Sequence, residues 1–220
     1  MKNLSAVYTL NINNYFPEMM KITIPLMKEY ANRIGADFIE ITERKFPTWH
    51  IVYEKLQIYE IGEHYNWNIF FDGDCLVNPM LFEDLTKSDI NNVLVKDGYR
   101  ANVKFKMTPK ISSFFEEDKR NMGLSSCFIA SSKLCHNIWK PLDLTPQEAA
   151  NEIIIGEHSK ESATNNAQDE LALSFNLAKY HLKYSGINQN FIFHPYDSIK
   201  DKEKLKQIKT VLKKWKLNRT

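Results

Sequence analysis

The segment WNIFFDGDCLV, residues 67–77, runs an apolar stretch into two carboxylates one residue apart, Asp72 and Asp74, with Gly73 between them. Two chemistries suit this arrangement. Asp-Gly is a common turn former, and an exposed turn carries both charges at little cost. Beside Phe70 and Phe71, however, two close carboxylates raise each other's proton affinity, and a divalent cation relieves both the repulsion and the desolvation. Hard oxygen donors select Mg2+ or Mn2+, ions that also hold phosphate oxygens. Farther on, ATNNAQDELALSFNLAKY places Asn166, Gln168, Asp169 and Glu170 at the head of a helix whose Leu171, Phe175 and Ala178 pack inward. Carboxylates in a first turn suit the helix dipole, with or without a further role. FIFHPYDSIK puts His194 at the end of an apolar strand, where an imidazole is either a satisfied core group or a metal ligand.

These groups do chemistry only if the surrounding elements present them together. LSAVYTLNI reads as a first strand, with Val7, Tyr8, Thr9 and Leu10 free of turn formers. Pro17 opens a helix in which Met20, Ile24, Met27, Ala31 and Ile34 recur at spacings of three and four until Gly35. DFIEIT is a second strand. After Pro47 the pattern predicts a helix from about Trp49 to Gly62, with Val52, Leu56 and Tyr59 inward, and WNIFFD follows as a third strand. Strand, helix, strand, helix, strand implies parallel pairing through right-handed crossovers. The unbroken run Ile69, Phe70, Phe71 fits a strand buried on both faces. Ligands of open parallel sheets gather beyond the carboxyl ends of the strands, which is where Asp72 and Asp74 fall. Gly73 is expected to let the chain turn tightly there.

Composition narrows the function classes. The 220 residues are 43% hydrophobic and 12% aromatic, enough for a substantial core and too much for a disordered chain. No apolar run is long enough to span a bilayer, and the N-terminal MKNLSAVYTLNI is too polar and short for a secretory signal, so a cytoplasmic protein is expected. Cys75, Cys127 and Cys135 are odd in number and lack metal-binding spacing, which predicts buried thiols instead of disulfides or a zinc site. The net charge of +2 is uneven: residues 200–220 hold nine Lys or Arg against Asp201 and Glu203, a local +7, leaving −5 for the rest. A mildly acidic body does not suit nucleic acid. The tail, residues 201–220, reads as a basic amphipathic helix with Leu205, Ile208, Leu212 and Trp215 on one side. It is expected to dock on the body, to make peripheral contact with an anionic membrane, or to lead into a further domain.

An apolar strand ending in Asp-x-Asp resembles two enzyme families. In the haloacid-dehalogenase-like phosphatases the motif closes the first strand and continues with a hydroxyl or branched residue, whereas here two strands precede it and Cys75 and Leu76 follow. The chain resembles far more, over about residues 4–200, the GT-A glycosyltransferases, in particular the branch with glycogenin and the bacterial lipopolysaccharide galactosyltransferases. PLMKEYANRIGADFIEIT, YEKLQIYEIGEHYNW and FFDGDCLVNP occur in that family's order and spacing. The resemblance implies an α/β GT-A fold, with a mostly parallel central sheet flanked by helices. Its catalytic domain would span residues 1–200, with a nucleotide-binding half to about residue 80 and an acceptor and sugar half from 81.

The resemblance also implies site residues. The first strand, at Thr9, would hold the nucleotide, which Lys55 approaches, although a helical lysine is equally at home in solvent. Asp74 would bind the metal and Asp72 the metal or the ribose. LSSCFIASS stands where the family has Phe-Asn-Ala/Ser-Gly-Val, so Ser125 replaces Asn and Cys127 replaces Gly in the sugar site. Asp169 and Glu170 would face the transferred sugar or the acceptor. His194 and Lys200 reproduce the outer positions of His-x-x-Gly-x-x-Lys, with Asp197 in place of Gly. The histidine would complete the metal shell and the lysine would contact the diphosphate. The implied activity is transfer of a sugar from a nucleoside-diphosphate sugar, UDP being the usual carrier, to a glycan or lipid-linked acceptor, with Mn2+ or Mg2+; His-x-x-Gly-x-x-Lys belongs to members that retain configuration, and inversion stays open. A non-catalytic module binding nucleotide sugars or carbohydrate is the alternative.

Overall fold

Nearly every residue of the first and third strands is buried because both faces of the sheet are covered. In the computed structural model, which describes residues 4–14, 16–96, 99–105, 122–155, 168–195 and 200–217, β1 (Ser5–Leu10), β2 (Asp37–Ile41) and β3 (Trp67–Phe71) pair in parallel, with β1 in the middle. Tyr8 and Phe70 point into one core and Val7, Ile69 and Phe71 into another on the opposite face. Alternation therefore persists in side-chain direction while both directions are apolar. α1 (Pro17–Ile34) covers the second face with Met27, Tyr30 and Ala31, and it stops at Gly35, whose φ of 67° supplies the left-handed cap that a side chain would resist.

β3 continues the sheet into the second half of the chain. β8 (Phe128–Ser132) pairs antiparallel with β3 and with β5 (Asn92–Val95), and β10 (Lys183–Gly186) pairs parallel with β5. The six-stranded order is β10-β5-β8-β3-β1-β2. Two small sheets flank it. β4 (Leu76–Val77) pairs antiparallel with β11 (Ile192–Phe193). β6 (Tyr99–Phe105) pairs with β7 (Met122–Leu124) and β9 (Ile153–Ile155). The expected α/β architecture is present, with helices on both faces.

The segment expected as one helix over 49–62 is instead a tight 3-10 turn, Ile51–Gln57, running into α2, a single α-turn at Ile58–Ile61. Three residues per turn rotate the inward side, so Tyr53, Glu54, Lys55 and Leu56 are all buried while Val52 and Tyr59 are half-buried. The remaining helices are α3 (Pro146–Glu152), α4 (Gln168–Lys179) and α5 (Asp201–Leu217). α4 is buried nearly all round, which a helix achieves only at the centre of a domain. Two of its polar residues are satisfied by distant segments: Asn176 donates to the Ile138 and Lys140 carbonyls, and Ser174 accepts from the Leu124 amide.

The basic tail docks. On α5, Ile208 is fully buried against Met19 of α1 and Leu76 of β4, with Leu205, Val211, Leu212 and Trp215 packed around them. The stripe is directed at the body, with exposed lysines between. Among the described residues no helix is long and apolar enough to cross a membrane. Ile208→Ala should therefore cost about 2 kcal/mol, the low end for a buried Ile because the cluster is small. Trp215→Ala should cost less, since the ring is only half-buried. Urea unfolding of both variants checks the order, and equal stability of Ile208→Ala and wild type would refute the docking.

Candidate active site

The acidic pair sits on a turn fastened from three sides. As β3 ends, the Asp72 amide donates to the Cys127 carbonyl (2.9 Å) and the Cys75 amide returns to the Asp72 carbonyl (2.8 Å). The Thr23 hydroxyl, buried within α1, donates to the Gly73 carbonyl (2.6 Å). The Cys75 thiol also donates to the Cys127 carbonyl. Gly73 was expected for its conformational freedom, but its φ is not in the left-handed region. What the position needs is slimness: a Cβ there would lie 2.6 Å from the Met20 sulfur.

Lys55 reaches this turn from below, and the structure settles its environment as interior, not solvent. Its side chain has no exposure, and a buried ammonium persists only with its donors used. Nζ lies 3.1 Å from Asp72 Oδ1, 2.6 Å from Asp169 Oδ2 and 3.0 Å from the Ser126 carbonyl, above the Phe70 ring. Burial works against its charge, but Asp169 and Asp72 outweigh burial and hold the ammonium above its ordinary pKa. Burial lifts the Asp72 carboxyl to about 7; Lys55 opposes the rise and Asp74 and Asp169 reinforce it.

Asp74 faces the other way. Its Oδ1 accepts from His194 Nε2 (3.0 Å) and its Oδ2 from Lys204 Nζ (3.1 Å). Burial favours the neutral acid, yet the His194 bond and the Lys204 charge outweigh it and keep Asp74 well below the usual carboxylate range. Burial likewise opposes charging of His194, but the Cys127 sulfur, Asp74 and Asp72 raise its imidazole to about 10. Asp72, Asp74 and His194 each offer one ligand atom, all within 4.8 Å of one another. Two carboxylates and an imidazole, partly open to solvent, form a donor set that fits a divalent cation.

The structure thus brings together Lys55, Asp72, Asp74, Asp169 and His194. Ser125 is buried one residue before the Lys55-binding carbonyl, and its hydroxyl contacts the Cys127 sulfur at 3.4 Å. Glu170 is buried on α4 beside Asp169. Thr9 is fully buried at the end of β1, and its hydroxyl makes no hydrogen bond among the described residues. Lys200 is exposed at the head of α5, where its carbonyl receives the Glu203 and Lys204 amides. Lys204, one turn later, is the lysine on Asp74. Asn166 and Asp197 lie outside the described residues.

Three participants escaped the sequence reading. Lys204 was one basic residue among nine, and only the pitch of a docked helix distinguishes it. Ser126 contributes its carbonyl, which no sequence pattern marks. Asn11 follows β1 with its amide nitrogen on Glu40 (2.9 Å) and its buried Oδ1 without a hydrogen-bond partner among the described residues. A polar residue directly after the first strand was the available signal.

No protein-family model matches the chain, and no curated protein matches it. Solved structures do. A glycosyltransferase involved in glycosylation of the major capsid of PBCV-1 superposes with a TM-score of 0.56 at 12% identity, over 94% of this chain and 99% of that one. The fold is the GT-A glycosyltransferase fold. Drosophila β1,4-galactosyltransferase 7 appears twice at lower similarity. Its complex with manganese, UDP-Gal and xylobiose has a TM-score of 0.44 at 12% identity, over 91% of this chain and 79% of that one. The complex of its catalytic domain with xylobiose has a TM-score of 0.45 at 11% identity, over 94% and 79%. In the GT-A frame seen here, the acidic cluster lies past the carboxyl end of β3, beside the end of β1, where Thr9 and Asn11 hold oxygens without a partner among the described residues.

Proposed function

We propose that the chain is a metal-dependent glycosyltransferase that moves a sugar from a nucleoside-diphosphate sugar to a glycan or lipid-linked acceptor. The observation that supports this most is the convergence of Asp72, Asp74 and His194 at the carboxyl end of β3 in a GT-A fold. A divalent cation bound by these residues would stabilise the charge that develops on a departing diphosphate. Mn2+ suits a mixed oxygen and nitrogen set better than Mg2+, which prefers oxygen alone.

The chain's own residues have separable tasks in this reading. Lys55 ties Asp72 to Asp169, so the turn and the head of α4 keep a constant spacing. Asp169 has one oxygen on Lys55 and the other buried without a hydrogen-bond partner among the described residues, and it faces the sugar together with Glu170. Lys204 carries positive charge to the edge of the cluster, where it neutralises phosphate oxygens in the role first expected of Lys200. Thr9 and Asn11 have acceptors and donors to spare for the nucleotide, UDP by the family resemblance. Ser125 contacts the transferred sugar, and retention of configuration accords with the glycogenin-like motif order. The catalytic domain covers residues 1–200, and α5 is an accessory that completes its site.

Incubation with a panel of nucleotide sugars and Mn2+ tests the reading through slow release of nucleoside diphosphate without acceptor. Release from at least one donor, abolished by chelator, is expected. Tight nucleotide-sugar binding with neither hydrolysis nor transfer to any candidate glycan would mark a binding module instead.

A further inference from the structure

The loop between β2 and the 3-10 turn is built more rigidly than a connection requires. Glu54, fully buried, accepts hydrogen bonds from Arg44 Nε (3.0 Å), the Lys45 amide (2.8 Å), the Phe46 amide (3.0 Å) and Gln57 Nε2 (2.8 Å). Arg44 also donates to the carbonyls of Phe46 and Trp49. Trp49 stacks on Tyr53 with centroids 3.9 Å apart, and the Tyr53 hydroxyl is fixed by the Leu142 amide. Burying a carboxylate costs several kcal/mol unless donors surround it, so this network commits one charged group to holding residues 44–50 in a single shape.

What the loop holds in place is one wall of a pocket of about 280 Å3. Thr48, Trp49 and His50 form that wall, Gln147 and Ala150 of α3 form the second, and Gln168 closes the floor. The His50 amide donates to Gln168 Oε1 (2.8 Å), joining segments 118 residues apart. Gln168 directly precedes Asp169, so the pocket adjoins the Lys55 cluster. The volume equals roughly nine waters, the bulk of one sugar ring. Among the described residues, no lining residue carries a fixed charge. Burial pushes the His50 imidazole below its ordinary pKa, against the pull of Asp169 and with the help of Arg44, so the ring is neutral near pH 7.

We infer that this pocket is an acceptor subsite that binds one neutral sugar unit, on the Asp169 side of the site. The inference rests on the sugar-transfer reading above and extends it by naming the acceptor's chemical class. Hydroxyl, imidazole and two carboxamides supply donors and acceptors for sugar hydroxyls, and the indole edge supplies an apolar contact. A uronic or sialic acid would bring a carboxylate to a pocket with no cation among its described lining residues and with Asp169 nearby, so charged sugars are disfavoured.

The test uses a panel of neutral methyl glycosides, hexopyranosides and pentopyranosides, with methyl uronosides as charged controls. Binding is read by saturation-transfer NMR, and transfer by acceleration of nucleoside-diphosphate release over the acceptor-free background. At least one neutral glycoside should bind and accelerate release, and no uronoside should do better. Ala150→Trp, which fills the pocket, should remove both signals with background release unchanged. Gln147→Ala, an exposed side chain whose loss cannot unfold the protein, should raise the half-saturating glycoside concentration about fivefold, the loss of one hydrogen bond. The inference is overturned if no glycoside binds the wild type, if a uronoside is preferred, or if Ala150→Trp keeps full glycoside binding and acceleration. A wild type that releases nothing from any donor sinks the transfer reading separately, because the NMR signal still judges the pocket.

Discussion

Lys55→Met is expected to lower stability by about 3 to 5 kcal/mol and to leave no measurable donor turnover. The substitution keeps the length of the stem but leaves Asp72 and Asp169 buried without their shared counter-charge, Asp169 most of all because its carboxyl is almost inaccessible. Asp72, already raised to about 7 and partly exposed, can take up a proton and soften the loss, which favours the lower end of that range. The double variant Lys55→Met with Asp169→Asn removes the stranded charge as well. It should recover a large part of the stability and none of the activity, because the carboxylate proposed to face the sugar is gone. Urea unfolding of the two single variants and the double variant forms a cycle that isolates the pair. A Lys55→Met protein within about 1 kcal/mol of wild type would show that the ammonium is dispensable and that the cluster is not a buried ion network.

The second large effect is expected at Asp74. Asp74→Asn keeps an oxygen for the His194 bond and removes the charge that pairs with Lys204 and that the proposed divalent cation would require. Turnover should fall about a thousandfold, as when one element of electrostatic stabilisation is deleted from an active site. The melting temperature should move by no more than about 4 °C, since the exchange perturbs the edge of the fold and not its sheet. Calorimetric titration with MnCl2 supplies the independent readout: the wild type should give a binding isotherm and Asp74→Asn none. Wild-type activity of the variant in excess chelator would remove the metal from the mechanism altogether.

Legibility differed between the parts of the site for a physical reason. Asp72 and Asp74 announce themselves because an apolar run ending in two charges conflicts with burial, and such a conflict is visible locally. His194 is visible in the same way, at the end of the apolar FIF run. Lys55 is not, because a lysine in a helical pattern next to apolar residues looks the same in solvent as in the core. Its burial depends on Asp169, more than a hundred residues away, and on a 3-10 winding that the Val52, Leu56, Tyr59 spacing disguises as an α-helix. Lys204 is hidden further, by eight neighbours of the same charge.

From the sequence alone come the β1-α1-β2 and β3 order, the parallel pairing, the position of the acidic pair beyond the third strand and the amphipathic tail. Each of these follows from hydrophobic periodicity and turn residues within a window of a few residues, where backbone geometry allows only two periods. Tertiary structure alone decided that β8 enters the sheet antiparallel between β3 and β5, that Lys55 bridges Asp72 and Asp169, and that Lys204 reaches Asp74. It also decided that Gly73 answers to Met20 and that Glu54 pins the loop beside the pocket. All five are contacts between distant segments, and a charge or a small residue becomes meaningful there only when folding removes the water that would otherwise have satisfied it.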